Sequence, residues 1–377
     1  MAAPCAGSAS QRQPSPDVRR SSSPATTLDR VPLAQNLQNT LYLLTPGLSL
    51  RRDGLALRVE HEKQLKLSLP VHNVESVFVF GADIYVSPSA MRLCWEHGAS
   101  VCFFTDWGRM EARVEGVPQG SILLRRAQHA AAASSSRVAT LARAFVAGKI
   151  HNTRWLLARS ARDSAIEEDR APLRAAAEGQ ASLLRELGRT PDDLDVIRGI
   201  EGRAAALHFE VFAQHVRPAL RAAFPFDGRN RRPPRDALNA LLSFLYALLR
   251  HDCVSALTAV GLDPFAGFLH ADRSGRESLA LDLMEEFRPW VERLALTLVN
   301  RGELKVGQFV VRDGGAVELA DAARKALVAA YQQRKAEEIS HPLFQEKVQN
   351  RQLVFIQARL LARALRHETD YTPHLFS

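Results

Sequence analysis

The segment 236-DALNALLSFLYALLR-250 does most to limit what this chain can become. Ten of its fifteen residues are Ala, Leu or Phe, and they cover nearly the whole circumference of a helix. A helix that is apolar all round belongs inside a core, so the chain must supply other helices to bury it. The residues that interrupt the apolar surface are Asp236, Asn239, Ser243, Tyr246 and Arg250. They recur at steps of three and four, which draws one narrow polar line along the helix. Buried polar groups need partners, so this line is expected to face a second polar element. The competing reading is the wet edge of a surface helix. Asn239 and Ser243 break the run before it reaches the ~18 apolar residues of a membrane span, and no membrane role is expected.

The required helices follow from Ser121 onward. Ala-, Leu- and Arg-rich segments at 122–147, 150–164, 172–187, 199–217, 236–260, 278–299, 320–337 and 342–367 read as helical. Gly148, Pro191, Pro225, Pro233-Pro234, Pro264, Gly302 and Gly314-Gly315 separate them. Upstream the texture is β. Thr40–Leu44, Leu65–Leu69, Val77–Phe80, Ser100–Thr105 and Met110–Val117 read as strands. Asp53-Gly54 between two further runs is a hairpin signal, and Pro88–Gly98 reads as one helix closed by its glycine. Residues 1–36 are Ser/Pro/Ala-rich without a hydrophobic period and are predicted to be a disordered extension. The expected fold is α+β: a small β-rich N-terminal domain over 37–120, then a larger all-α domain over 121–377.

Hydrophobic residues make up 46% and charged residues 24%, a soluble globular composition. The net charge of +8 suits an anionic partner. Aromatics at 7% argue against a base-stacking surface, so nucleic acid would be held by its phosphates. The four cysteines are scattered and the N-terminal residues hold no secretory h-region, which predicts a reducing, cytoplasmic setting.

Three stretches carry candidate chemistry. In 229-RNRRPPRD-236, Pro233 and Pro234 suit a helix start, and Arg229, Arg231, Arg232 and Arg235 surround it. Free N–H groups with guanidinium forks make a phosphate site; a solvated basic loop has the same letters. In 199-GIEGRAAALHF-209, small residues around Glu201 allow another backbone close, and Glu201, His208 and His215 repeat at seven. A glutamate near a helix start is also merely favourable with the dipole. In 267-GFLHADRSGRESLALDLMEEFRPW-290, His270 follows Phe268-Leu269, and Asp282 and Glu285 share one side of a helix. Alone these read equally as a core histidine and a wet acidic face. Pro289 lacks the donor that the Glu285 carbonyl would receive and should distort the helix there.

Taken together, Glu201, His270 and Glu285 offer two carboxylates and an imidazole, with Asp282 beside them. That set suits Mg²⁺ or Mn²⁺ and lacks the thiolates of structural zinc. No zincin, Walker A, dinucleotide-binding or nucleophile-elbow motif occurs in a suitable context. A hard cation among arginines is equipment for phosphodiester chemistry. Spacing alone does not bring residues 201, 270 and 285 together.

GIEGRAAALHF, RRPPRDALNALLSFLY, GLDPFAGFLHADRSGRESLALDLMEEFR and QARLLARAL, in this order, resemble the CRISPR-associated endonuclease and integrase family called Cas-one. The resemblance runs from about Leu37 to the end. NTLYLLTPG and GKIHNTRWLL are most similar to its type I-C branch. The resemblance implies a β-rich N-terminal domain that dimerises and a helical catalytic domain. It implies metal ligands at Glu201, His270 and Glu285, with Asp282 as a neighbouring catalytic acid. His208 stands where the family often has an aromatic and receives no role. Arg231, Arg232, Arg235 and Arg276 are the candidates for holding double-stranded DNA, and Asn239, Ser243 and Tyr246 for supporting the site from behind. The implied activity is insertion of prespacer DNA into a CRISPR array by attack of a 3′-hydroxyl, with cleavage of branched DNA as a related reaction. The implied assembly is a homodimer joined to a Cas-two dimer in a heterohexamer, with a Cas-four nuclease as a further partner. Two alternatives stand beside it: a metal-dependent nuclease of branched DNA in repair, and a non-catalytic DNA-binding scaffold.

Overall fold

The computed structural model describes residues 34–37, 40–43, 45–74, 76–104, 110–114, 116, 122–230, 233–341 and 347–376. Most of the predicted extension lies outside these residues. Its last three positions do not: they belong to the first strand, so the sheet begins at Ala34 rather than after residue 36.

The N-terminal domain contains β1 (Ala34–Leu37), β2 (Thr40–Leu43), β3 (Leu48–Asp53), β4 (Ala56–His61), β5 (Gln64–Pro70), β6 (Ser76–Phe80), β7 (Tyr85–Val86), α1 (Pro88–Glu96), β8 (Ser100–Phe104) and β9 (Met110–Val114). One sheet has the order β1-β2-β6-β8-β9 and the other β5-β4-β3-β7. Leu50 and Leu57 of the second sheet, Val77 and Val101 of the first, and Leu93 of α1 are fully buried in one shared core. Local chemistry sets the turns. Gly54 has φ +59 as the first of two residues linking β3 and β4, where a type II′ hairpin needs glycine. Ser87 caps α1 by accepting from the Ala90 N–H at 3.2 Å, and Gly98 at φ +76 ends it.

The second domain contains α2 (Ile122–Ala132), α3 (Ser135–Asp163), α4 (Glu167–Leu187), α5 (Leu194–Glu210), α6 (Pro218–Arg221), α7 (Ala237–Ala259), α8 (Ser278–Met284) and α9 (Arg288–Asn300). After these come β10 (Phe309–Val311), β11 (Val317–Leu319), α10 (Asp321–Ala336), β12 (Glu338–Ser340), β13 (Lys347–Gln349) and α11 (Asn350–Leu365). The domain is therefore largely helical rather than all-α, since β10–β11 and β12–β13 are two short antiparallel hairpins. The helix expected over 342–367 starts only at Asn350.

Helix α7 is the core helix that its sequence requires. It is long and apolar enough to cross a bilayer by composition, yet Leu238, Leu241, Leu242 and Leu245 are fully buried inside the protein. Its polar line meets polar partners, as expected. Asp236 caps the helix, Asn239 and Ser243 take the Arg229 guanidinium, Tyr246 donates to Glu292, and Arg250 pairs with Glu277 at 2.8 Å.

Gly148 does not break a helix. It lies inside the 29-residue α3, and the real interruption is at residues 133–134. A β-carbon at Gly148 would stand 2.8 Å from the Pro373 Cβ and 3.0 Å from the Glu286 Cγ. The glycine is there for close approach, not for a turn. Helix α5 likewise begins earlier than expected, at Leu194, which puts Glu201 in mid-helix rather than at its start. The helix expected over 278–299 breaks at a 3-10 turn, Glu285–Phe287, with Pro289 in the first turn of α9. That is the distortion the proline predicts.

Candidate cation site at a broken helix

Asp282 organises the loop that leads into the site. It is fully buried, and its Oδ2 accepts from the N–H groups of Phe268 at 2.6 Å and Leu269 at 2.9 Å. Its Oδ1 accepts from the His270 N–H at 2.9 Å and pairs with His270 Nδ1 at 2.7 Å. Gly267 permits this packing, because a β-carbon there would meet Ser278 at 2.7 Å and Asp282 at 3.0 Å. A carboxylate against Nδ1 fixes the proton on that nitrogen and leaves the Nε2 lone pair available. Nε2 lies 3.8 Å from Oε1 of Glu285.

Glu285 opens the 3-10 turn with its side chain buried. Arg288, one turn on, approaches its Oε1 at 2.8 Å. From α3, Lys149 places its Nζ 2.7 Å from Oε2 of Glu285 and also pairs with Oε1 of Glu201 on α5. Lys149 thus lies against one oxygen of each carboxylate. Burial works to raise the Glu285 pKa, but Arg288, Lys149 and His270 outweigh it and hold the acid at about 2. Lys149 loses charge preference to burial and regains more from Glu285 and Glu201, so its pKa rises.

The structure thus brings Glu201, His270 and Glu285 to one place, and the cation at its centre is Lys149. Among the described residues no three His, Cys, Asp or Glu side chains form a metal-holding group as they stand. The donor set still fits a hard divalent ion. Two carboxylates and an imidazole with a free lone pair converge where one positive charge already sits. Asp282 differs from this set, because both of its oxygens are used on the 268–270 loop and on His270. Its place is behind the histidine.

The supporting residues divide. Tyr246 reaches the site through Arg288, whose guanidinium lies 4.7 Å from its ring centre. Asn239 and Ser243 instead anchor Arg229, at 2.6 and 3.0 Å, and hold the 228–230 loop. Arg229 therefore points inward. Arg231 and Arg232 lie outside the described residues. Arg235 is exposed and Arg276 half-buried, and neither side chain makes an ion pair or hydrogen bond among the described residues.

Two charged residues at the site escaped the sequence reading, Lys149 and Arg288. Glu292 is buried, accepting from Tyr246 and pairing with His208 Nε2 at 2.8 Å. The available signal was the lysine inside the apolar run FVAGKI, since a buried lysine requires acidic partners. Glu286 does not join its neighbour Glu285 at the site. It turns to the far side and accepts from Tyr371, from Gln357 at 2.9 Å and from the His374 N–H at 2.7 Å. Burial pushes its carboxyl up to about 8. Asn152 closes this side, donating to the Glu286 and His374 carbonyls at 2.8 Å each.

The sequence profile of the family described as CRISPR associated protein Cas1 matches residues 41–333. A CRISPR-associated endonuclease Cas1 1 from Moorella thermoacetica is 48% identical over 342 residues, covering 90% of this chain and 99% of the relative. A CRISPR-associated exonuclease Cas4/endonuclease Cas1 fusion from Geobacter sulfurreducens is 35% identical over 337 residues, 89% of this chain and 59% of the fusion. Two solved structures share the fold. A partial Cas6-RT-Cas1–Cas2 complex superposes with a TM-score of 0.72 at 21% identity, and a casposase bound to integration product with 0.69 at 19%. Each covers 89% of this chain and 97% of the other. With this sequence match, this β-then-helical architecture and these acidic and imidazole groups in one place, the chain belongs to the Cas1 family of CRISPR-associated proteins.

Proposed function

We propose that this chain is a divalent-cation-dependent DNA endonuclease and integrase that inserts prespacer DNA into a CRISPR array. One observation carries the reading: Glu201, His270 and Glu285 converge from three separate segments onto a single cationic position. Membership of an endonuclease family and the fold shared with a casposase bound to integration product support it.

Glu201, His270 and Glu285 would hold Mg²⁺ or Mn²⁺, which supplies Lewis-acid stabilisation of charge developing on a phosphodiester. Asp282 holds the proton on His270 Nδ1, so that Nε2 presents its lone pair. Arg288 keeps Glu285 ionised and oriented. Lys149 bridges the two carboxylates and, with Arg288 on Glu285, balances their charge; it would also be a donor toward a phosphate bound there. Arg231, Arg232, Arg235 and Arg276 are proposed to hold the DNA backbone. The protein is further proposed to act in the cytoplasm as a homodimer through its β-rich domain, with a Cas2 dimer and a Cas4 nuclease as partners. The named Cas1–Cas2 complex and the Cas4/Cas1 fusion support those partners. The chain is also proposed to be of the type I-C branch, a reading that NTLYLLTPG and GKIHNTRWLL support.

The test uses the purified chain, its Cas2 partner, a short duplex with 3′-hydroxyls and a supercoiled plasmid bearing the repeat. Half-site integration products are expected with Mg²⁺ or Mn²⁺ and lost in Glu201→Ala, His270→Ala and Glu285→Ala. Cleavage of branched DNA without integration would select the repair nuclease instead. Binding without any cation-dependent chemistry would select the scaffold.

A further inference from the structure

Arg288 is the first residue of α9, and its side chain is largely buried. A helix N-terminus already presents positive partial charge, so a guanidinium held there needs acids around it. Glu285, three residues earlier, lies 2.8 Å from its Nε. Glu292, four residues later on the same face of α9, is the second acid. Burial disfavours charge on Arg288, and Glu285 foremost, with Glu292 contributing, restores more than burial removes, so the Arg288 pKa rises.

Glu292 is equipped to stay ionised. It is buried, its Oε2 pairs with His208 Nε2 at 2.8 Å, and its Oε1 accepts from the Tyr246 hydroxyl. Burial works to raise its carboxyl, but His208, Tyr246 and Arg288 together outweigh it and hold the acid below the usual range. Tyr246 also carries the Arg288 guanidinium 4.7 Å from its ring centre. One side chain therefore touches both the guanidinium and the second carboxylate. Arg229, 5.5 Å from the same ring, is committed to Asn239 and Ser243. His208 stands on α5, so the helix that carries Glu201 also fixes Glu292.

The arrangement matters because Arg288 competes with any cation that Glu285 takes. It lies against one carboxylate oxygen, and it repels a second positive charge in a place poor in water. A buried guanidinium gives up one counter-charge only where another is at hand.

We propose that Glu292 is a positioning residue for the cation site: it is the standing second counter-charge of Arg288, held in place by His208 and Tyr246, and it frees Glu285 for the cation. The inference rests on the reading of Glu201, His270 and Glu285 as ligands of a divalent ion.

Calorimetric titration of the EDTA-stripped full chain with Mn²⁺ alone tests it without any DNA reaction, and thermal unfolding checks that each variant is folded. Glu292→Gln should weaken Mn²⁺ binding about tenfold, and Glu292→Asp, which keeps the charge, should recover most of the loss. In an Arg288→Met background the Glu292→Gln change should have less than about a twofold effect, because its influence passes through the guanidinium. A direct field of Glu292 on the ion, or a merely structural role, would give the same loss in both backgrounds and would overturn the proposal. Tyr246→Phe keeps the ring beside Arg288 and takes one donor from Glu292; it should cost about threefold and carries the test if Glu292→Gln does not fold. Folded Glu292→Gln protein, or in its place folded Tyr246→Phe protein, that binds Mn²⁺ like wild type overturns the role of Glu292 alone. Wild-type protein that binds no Mn²⁺, or Glu285→Gln protein that binds it equally well, overturns the cation reading and this role with it.

Discussion

Lys149 stands between Glu201 and Glu285, with its Nζ 2.7 Å from Oε2 of Glu285 and paired with Oε1 of Glu201. It occupies the position that a divalent ion held by the same acids would take. Lys149→Met should therefore cost the metal-free protein about 3–5 kcal/mol, the usual result of stranding a buried charge. It should also enlarge the rise in melting temperature produced by Mn²⁺, because no ammonium has to be displaced. Equal Mn²⁺ shifts in variant and wild type would remove the lysine from this role.

Asp282 acts on the site only through His270 and its loop. Asp282→Asn keeps one acceptor oxygen and loses the other. Stability should fall by about 1–3 kcal/mol and Mn²⁺ affinity by about 10–100-fold, read by chemical denaturation and metal titration. A loss of stability with unchanged affinity would reduce Asp282 to a brace for the loop.

Gly148→Ala tests close packing against helix propensity. Propensity alone predicts a gain of about 1 kcal/mol. Overpacking against Pro373 and Glu286 should instead give a net loss, from a clash term of about 1–3 kcal/mol. Adding Pro373→Gly should recover part of that loss. A stabilised single variant would contradict the contact.

The link between β4 and β5 stores local strain. Glu62 and Lys63 have φ of 51° and 64°, the left-handed region at both loop positions of a type I′ hairpin. Replacing them by Asn and Gly should raise stability by about 1–2 kcal/mol. Thermal unfolding reads the change, and a fall in melting temperature would refute it.

Acid should destabilise the protein through two buried histidines. His215 and His374 are pushed from 6.5 down to about 3 by burial. Between those values the unfolded chain takes up protons that the folded chain refuses. Stability therefore falls as pH drops through this window, by up to about 1.4 kcal/mol per pH unit for each ring. His374→Phe should flatten the slope by one proton's worth, and an unchanged slope would exclude that ring.

The sequence made the large divisions legible, because they rest on period and composition. Alternation before residue 105, the Asp53-Gly54 hairpin and the apolar girth of α7 are local patterns, and the structure repeats them. The candidate site was legible in its letters but not in its wiring. Asp282 and Glu285 share a helical face on paper. In the protein the helix tightens at Glu285, so one acid serves the loop and the other faces Lys149. Pro289 signalled that break. Lys149 was hidden by its neighbour, since Gly148 reads as punctuation unless Pro373, more than two hundred positions away, is known to lie against it. The two short hairpins of the second domain offered three-residue strands, too brief for a period to show.

The segment that carries Tyr371, Pro373 and His374 has a consequence for how the site comes into being. The Glu285–Phe287 turn rests on these residues through Glu286 and Asn152, although they follow it by more than eighty positions. Contacts of such sequence separation close a longer loop than those within the local helices. A nascent chain that already holds Glu201, His270 and Glu285 thus has its three proposed ligands before it has the floor that seats them. The proposed site is complete only once this later segment is in place.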